Sequence, residues 1–158
     1  MEEPMPAQPK AKSRPDAMIA LLNQSLAGML DLKLSAKQAH WNVKGENFIA
    51  LHELFDKVAT ETDAYADSLA ERAVQLGGVA SGTSQQIVRN SKLSPYPASI
   101  QASNQHVKAL GAATGLMADQ LRKAIDTADE AGDMVTADLF TQITGGLDKL
   151  RWFIEAHA

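Results

Sequence analysis

The chain has 158 residues, of which 45% are hydrophobic and 22% charged, so it can bury the core of one globular domain. It contains no cysteine, which excludes disulfides, thiolate metal sites and thiol catalysis, and any bound metal must be held by imidazole and oxygen. The formal net charge of −4 argues against a protein that binds nucleic acid over its whole surface.

No segment has the composition of a membrane anchor. The longest apolar run, Ala17–Leu22, is far shorter than the roughly 18 residues that a membrane span needs. The N-terminus also lacks the apolar segment of a signal peptide. These features predict a cytoplasmic protein without a membrane partner.

Residues 1–15 have the composition of a tail that precedes the folded domain. They contain four prolines together with Lys10, Lys12 and Arg14, and they lack the apolar residues that a core requires. We therefore predict that residues 16–158 form the domain.

The first half of the domain predicts two long helices. Apolar residues recur every three or four positions over residues 16–43, with Asp16 as the expected N-cap, and Gly45 ends this helix. The second helix is predicted over residues 47–76 and is stopped by the pair Gly77–Gly78.

The second half predicts a long connection followed by two more helices. Residues 77–97 are rich in glycine, serine and proline, with one short helix over 85–89. Pro97 is the expected start of the third helix, and the turn at Gly132–Asp133 separates it from a fourth that runs to the end. Interior glycines oppose these two helices by about 1 kcal/mol each; they are Gly111, Gly115, Gly145 and Gly146. The expected fold is an all-α four-helix bundle with one long crossover containing a short helix.

Three metal-ligating side chains lie close to the turn between the first two helices. His40 ends the first helix and His52 begins the second, each six residues from Glu46. If these helices are antiparallel, the two imidazoles lie at similar height. Asp56 follows His52 by one helical turn and shares its face. We call His40, His52 and Asp56 the histidine half-site.

Asp67 and Glu71 form a second i,i+4 pair on the second helix, which we call the carboxylate half-site. Asp67 lies eleven residues beyond Asp56, a rise of roughly 16 Å, so no single ion can touch both within one chain. A two-fold axis near Glu61 and Thr62 would bring the carboxylate half-site of one subunit over the histidine half-site of another. The spacing therefore predicts metal sites built by two chains.

The ligand types favour a particular metal but leave other interpretations open. Imidazole and carboxylate ligands with open positions suit ferrous iron, with zinc as a competitor. The Glu-x-x-His pairs of di-iron sites inside a single bundle are absent. Alternatively, His40 is a hydrogen-bonded core histidine, the i,i+4 pairs are ordinary surface neighbours, and Trp41 packs at an interface.

Several spaced motifs together resemble the Dps family of mini-ferritins. They are Ala39–Gly45 (AHWNVKG), His52–Asp56 (HELFD), Ala70–Gly78 (AERAVQLGG), Thr136–Asp138 (TAD) and Leu147–Trp152 (LDKLRW). The likeness extends over most of the chain.

The resemblance implies a ferritin-like fold and a hollow homo-dodecamer with inter-subunit di-iron ferroxidase sites. It assigns His40, His52 and Asp56 as ligands from one subunit and Asp67 and Glu71 as ligands from its partner. Fe(II) and hydrogen peroxide are the implied substrates, ferric mineral is stored in the cavity, and DNA is thereby protected from oxidative damage. Trp41 corresponds to a tryptophan beside the family's site.

The resemblance also implies a negatively charged pore through which iron enters, near the turn between the last two helices. Acids cluster there, at Asp126, Asp129, Glu130, Asp133 and Asp138. We expect Asp129, Asp133 and Asp138 to line the pore. Helix capping and surface solvation are the alternative roles of these acids, and Met134 replaces an acid found in some relatives.

Two other functions stay open at this stage. The tail residues Lys10, Lys12 and Arg14, repeated over many subunits, would allow a nucleoid-associated protein to bind and compact DNA. Glu2 and Glu3 partly offset these charges. The third hypothesis is a purely structural helical oligomer without metal chemistry.

Overall fold

The computed structural model describes residues 14–158, with side chains from residue 15 onward. The described part contains five helices: α1 (Arg14–Asn42), α2 (Phe48–Gln75), α3 (Ser84–Asn90), α4 (Ser103–Glu130) and α5 (Met134–Glu155). The predicted all-α four-helix bundle with a crossover containing a short helix is confirmed. The predicted tail residues Lys10 and Lys12 lie outside the described residues, and Arg14 begins α1.

The four long helices form two packed pairs, α1 with α2 and α4 with α5, and these pairs meet through α1 with α4 and α2 with α5. Lys44, just before α2, forms an isolated parallel bridge with Ala102, just before α4. Both helices therefore start at the same end of the bundle, as the predicted crossover requires.

The core lies between the four long helices. Its largest fully buried side chains include Leu22 of α1, Phe55 of α2, Leu121 of α4 and Phe140 of α5. Each such residue stabilises the fold by about 1.5–3 kcal/mol relative to an exposed one. Within residues 14–158, none of the helices combines the length and apolar character that a membrane span requires.

Two predicted helix starts are wrong. The predicted N-cap Asp16 lies inside the first turn of α1, where a carboxylate still favours the helix dipole. Pro97 does not start a helix, because α4 begins at Ser103. The backbone of residues 101–103 is instead paired with Lys44, whose N–H donates to Gln101 O at 2.8 Å and whose carbonyl accepts from Ser103 N at 3.0 Å. A non-local contact thus keeps this segment extended.

The interior glycines do not interrupt α4 or α5. At two of them a neighbouring side chain occupies the space that a Cβ would fill. A Cβ on Gly146 would lie 1.9 Å from the Tyr65 hydroxyl oxygen. A Cβ on Gly115 would lie 2.8 Å from Cζ of Arg151. Glycine therefore allows α2 and α5 side chains to lie directly against a helix backbone.

Candidate metal centre

The tight return between α1 and α2 sets the height of the histidine half-site. Gly45 and Asn47 have positive φ values of 103° and 58°, so the chain reverses within five residues after α1 ends at Asn42. Glycine and asparagine are the residues that best tolerate this left-handed conformation. The last turn of α1 and the first turns of α2 consequently lie side by side.

His40 and His52, which were expected at similar height on antiparallel helices, are in direct contact. Their rings stack with centroids 3.8 Å apart and planes inclined by 17°. Nδ1 of His40 lies 2.6 Å from the His52 carbonyl oxygen, and Nδ1 of His52 lies 2.7 Å from the His40 carbonyl oxygen. Because a carbonyl only accepts, each Nδ1 must carry the proton. In the neutral form of each ring Nε2 is then the nitrogen with the lone pair, and this is the tautomer that binds metals through Nε2.

His40 is not a core histidine, since it is only half-buried and its hydrogen bond goes to the next helix. Phe48, one turn before His52, packs against the His52 ring at 5.3 Å between centroids. Trp41 is 67% exposed, so within this chain it does not pack into the core. Its predicted place beside the metal site stays a prediction.

Asp56, the third member of the half-site, is held by a cation that sequence reasoning missed. Lys37 of α1 donates to Asp56 Oδ1 at 2.6 Å. This hydrogen bond lowers the pKa of the Asp56 carboxyl below its ordinary value of 3.8. Lys37 lies three residues before His40 and therefore one turn along the same face of α1. Its partner becomes evident only when the register of α1 against α2 is known.

The carboxylate half-site lies far along α2. Asp67 and Glu71 are both exposed, and Glu71 lines a cavity of about 300 Å³ between α2 and α5. Asp67 lines a wider groove of about 620 Å³, walled by apolar residues of α1 and α2 that include Leu26 and Ala70. Nowhere in residues 14–158 do three histidine or acidic side chains converge on one point suited to a metal ion.

Comparison with known proteins assigns the family. A family model described as "Ferritin-like domain" matches residues 19–158. A DNA protection during starvation protein of Agrobacterium fabrum is 51% identical over 140 residues, which cover 89% of this chain and 86% of that relative. The chain belongs to the Dps family of ferritin-like proteins.

Solved structures of the Dps family share the whole fold. The structure of Dps from Microbacterium arborescens in the high iron form superposes with a TM-score of 0.85 at 34% identity, covering 96% of this chain and 98% of that one. Dps from Thermosynechococcus elongatus superposes with a TM-score of 0.85 at 27% identity, covering 91% of each chain.

The acidic turn of this Dps-family chain contains carboxylates in different environments. Asp129 and Asp138 are exposed, and Asp138 accepts a hydrogen bond from Gln142 at 2.8 Å. Asp133 is instead the N-cap of α5 and accepts from the Thr136 N–H at 3.1 Å and the Thr136 hydroxyl at 2.6 Å. Burial raises the pKa of Asp133, but the bonds from Thr136 and the charge of Arg72 outweigh burial and lower it.

Proposed function

We propose that this protein is a ferroxidase that binds Fe(II) as its substrate at sites shared by two subunits and oxidises it. The ferric product would be stored inside a hollow homo-dodecamer. The observation that carries this proposal is the reciprocal hydrogen bonding of His40 and His52. It occupies both Nδ1 atoms and leaves both Nε2 atoms as the ring nitrogens available to a metal, with Asp56 one helical turn beyond His52. In a purely structural oligomer the same bonds would only join α1 to α2, and the iron-oxidation assay below separates the two functions.

The distribution of ligands supports a site that needs a second chain. The histidine half-site supplies two imidazoles and one carboxylate, whereas Asp67 and Glu71 lie roughly 16 Å or more along α2. The half-buried histidine half-site, the exposed carboxylate half-site and the groove beside Asp67 are available to a second subunit. Antiparallel packing of two α2 helices about a two-fold axis would complete two equivalent di-iron sites.

The donor set fits ferrous iron, since imidazole nitrogen and carboxylate oxygen are ligands that this ion accepts with open positions left for reactants. Iron supplies the redox chemistry: two Fe(II) ions give up one electron each, and hydrogen peroxide with two protons becomes two waters. The protein orients Nε2 of His40 and His52 and offers Asp56 in its ionised form. Lys37 must release Asp56 when the carboxylate turns to the metal, and its charge then remains beside the site.

Iron must also reach the storage cavity. The exposed acids Asp129 and Asp138 remain the predicted lining of a pore near the α4–α5 turn. Asp133 was predicted to join them, although its carboxylate bonds to Thr136 and Arg72. Trp41 as a residue beside the site and the cytoplasmic location also stay predictions.

The direct test is aerobic addition of Fe(II) to the purified protein, with and without hydrogen peroxide, followed by absorbance of the ferric product. We expect rapid oxidation that consumes peroxide and leaves iron bound in the assembled particle. The His52→Ala/Asp56→Ala variant should oxidise iron at close to the background rate while keeping its helical circular dichroism. If this variant oxidises iron like the wild type, or if the wild type shows only background oxidation, the proposal is wrong.

A nucleoid role is a second candidate, because the relatives named DNA protection during starvation protein point to DNA. The predicted contacts are Lys10, Lys12 and Arg14 of the tail. Binding through phosphates should weaken steeply with salt. A gel shift that is lost when Lys10 and Lys12 are both changed to glutamine would support this role, and binding retained at full strength would refute the tail assignment.

A further inference from the structure

Arg72 immediately follows Glu71 of the carboxylate half-site, but its guanidinium forms hydrogen bonds with Thr136, Gln75 and Asp133 instead of with Glu71. Nε donates to the Thr136 hydroxyl at 3.0 Å, and the two terminal nitrogens donate to Gln75 Oε1 and to Asp133 Oδ1, each at 3.2 Å. The side chains of Arg72 and Asp133 are only 17% and 19% exposed. This ion pair joins the last turns of α2 to the first turn of α5.

Asp133 is in turn fixed by its own helix. As the N-cap of α5 it accepts both the backbone N–H and the hydroxyl of Thr136. Thr136 is fully buried, so the acceptor of Arg72 Nε is also held in place. The start of α5 thus offers a preformed receptor for the guanidinium, made of one charged and one neutral oxygen.

The position of the Arg72 guanidinium matters because Arg72 also lines a cavity that contains two exposed carboxylates. Glu71, Asp138 and Arg72 line the same cavity of about 300 Å³, and both carboxylates are exposed. A guanidinium released from Asp133 would be free to turn into this cavity, where pairing with Glu71, one of the two exposed carboxylates in its lining, becomes open to it. That pair would neutralise a carboxylate that the proposed function assigns to the metal.

We propose that Asp133 is a positioning residue for the carboxylate half-site: with Thr136, it keeps the Arg72 guanidinium from pairing with the iron ligand Glu71. This inference rests on the proposed function. It gives Asp133 a role other than lining the pore. It also explains why an acid is useful at a capping position where serine or asparagine would cap equally well.

Three variants separate this role from a structural one. Asp133→Asn keeps an N-capping side chain but loses the charge that holds Arg72. We expect the Fe(II) concentration for half-maximal oxidation to rise roughly tenfold with little change in the maximal rate. The double variant Arg72→Gln/Asp133→Asn removes the released cation as well. Its Fe(II) concentration for half-maximal oxidation should lie within about twofold of that of Arg72→Gln alone. A structural ion pair predicts the opposite order, since the double variant would be at least as impaired as Asp133→Asn.

Two further measurements keep the outcome unambiguous. The defect of Asp133→Asn should shrink at high salt, because the exposed pairing of Arg72 with Glu71 is screened. Zn(II) binding by calorimetry should show the same order of affinities without any oxidation. If Asp133→Asn fails to assemble, Thr136→Val replaces it, because it removes the hydroxyl that accepts from Arg72 and leaves the charge of Asp133. For Thr136→Val we expect a smaller rise in the Fe(II) concentration for half-maximal oxidation, and adding Arg72→Gln should again reverse it.

Failure of the inference can be distinguished from failure of the proposed function. If the wild type neither binds Zn(II) nor oxidises Fe(II), both have failed. If the wild type does both and Asp133→Asn matches it, only the role of Asp133 is wrong. A slower maximal rate that the double variant does not restore would assign Asp133 to iron transport through the pore and would also overturn this inference.

Discussion

His40 and His52 each place Nδ1 within hydrogen-bond distance of the other's backbone carbonyl oxygen, at 2.6 and 2.7 Å, while their rings stack at 3.8 Å. The two residues therefore fix the orientation of each other's rings, and Phe48 packs against the His52 ring as well. A hydrogen bond from the ring nitrogen that does not bind the metal normally orients a histidine ligand, and here the backbone of the neighbouring helix accepts that bond. The two histidines of this half-site are thus oriented before any metal or partner subunit arrives, whereas Asp56 is still bonded to Lys37.

The first prediction concerns Lys37, whose ammonium competes with Fe(II) for Asp56. Changing Lys37 to glutamine removes a positive charge next to the site, so the Fe(II) concentration for half-maximal oxidation should fall several-fold at low salt. Lys33→Gln is the matched control, because Lys33 forms the same kind of ion pair with Asp63 at 2.8 Å. Initial rates over a range of Fe(II) concentrations give the answer. Equal effects of the two substitutions would mean that Lys37 does not act on the site.

The second prediction concerns the two adjacent glycines of α5. An alanine at Gly146 would clash with the Tyr65 hydroxyl 1.9 Å away, whereas a Cβ on Gly145 meets no atom within 4 Å. We expect Gly146→Ala to destabilise the protein by about 1–3 kcal/mol. Gly145→Ala should stabilise it by up to about 1 kcal/mol, since alanine is the better helix former.

Thermal unfolding of the assembled protein measures both effects. Adding Tyr65→Leu to Gly146→Ala should restore much of the lost stability, because the hydroxyl and ring that cause the clash are gone. Equal unfolding midpoints for the two single alanine variants would show that Tyr65 does not need the space at Gly146.

The third prediction concerns acid sensitivity at His106. This side chain is fully buried, with Nε2 donating to the Ile100 carbonyl at 3.0 Å and Nδ1 accepting from the Tyr96 hydroxyl at 2.6 Å. Burial lowers the pKa of His106 below its ordinary 6.5. Below pH 6.5 His106 therefore binds a proton in the unfolded chain but stays neutral in the folded chain until its lower pKa is reached. The contribution of His106 to the free energy of unfolding is fully present above pH 6.5. It falls by up to about 1.4 kcal/mol per pH unit as the pH decreases toward the pKa of His106 in the folded state.

Urea unfolding at several pH values between 7.5 and about 5 tests this linkage. The His106→Gln variant should lose part of the pH dependence, whatever its absolute stability. His157→Gln, at an exposed position near the C-terminus, is the control and should keep the wild-type slope. A slope unchanged in His106→Gln would assign the acid sensitivity to other groups.

Most of the fold could be predicted from the sequence because it depends on local rules. The periodicity of apolar residues, the glycines at 45, 77 and 132, and the length of the crossover together give four long helices and their order. The wrong start at Pro97 has a different origin. Residues 101–103 pair with Lys44, more than fifty residues earlier, and no local pattern announces such a contact.

In the candidate site too, the features that depend on local spacing could be predicted, and those that depend on contacts between distant segments could not. The similar height of His40 and His52 could be predicted because both lie six residues from the centre of the turn between two antiparallel helices. Lys37 was missed because its bond to Asp56 depends on the side-by-side register of α1 and α2, which spacing within one helix does not give. The ties of Asp133 to Thr136 and Arg72 were missed because they join segments that are distant in sequence. The contribution of Asp67 and Glu71 depends on a second chain and stays a prediction.

The most direct measurement for the shared site is complementation between two inactive variants. His40→Ala/His52→Ala loses one half-site and Asp67→Ala/Glu71→Ala loses the other, so each protein alone should oxidise Fe(II) at the background rate. Mixed, dissociated and reassembled, they should form dimers in which one site has all its ligands. Random pairing makes half of the dimers mixed, with one intact site of two, and activity should recover to about a quarter of the wild type. If mass spectrometry confirms subunit exchange and the oxidation rate stays at background, the shared site is wrong.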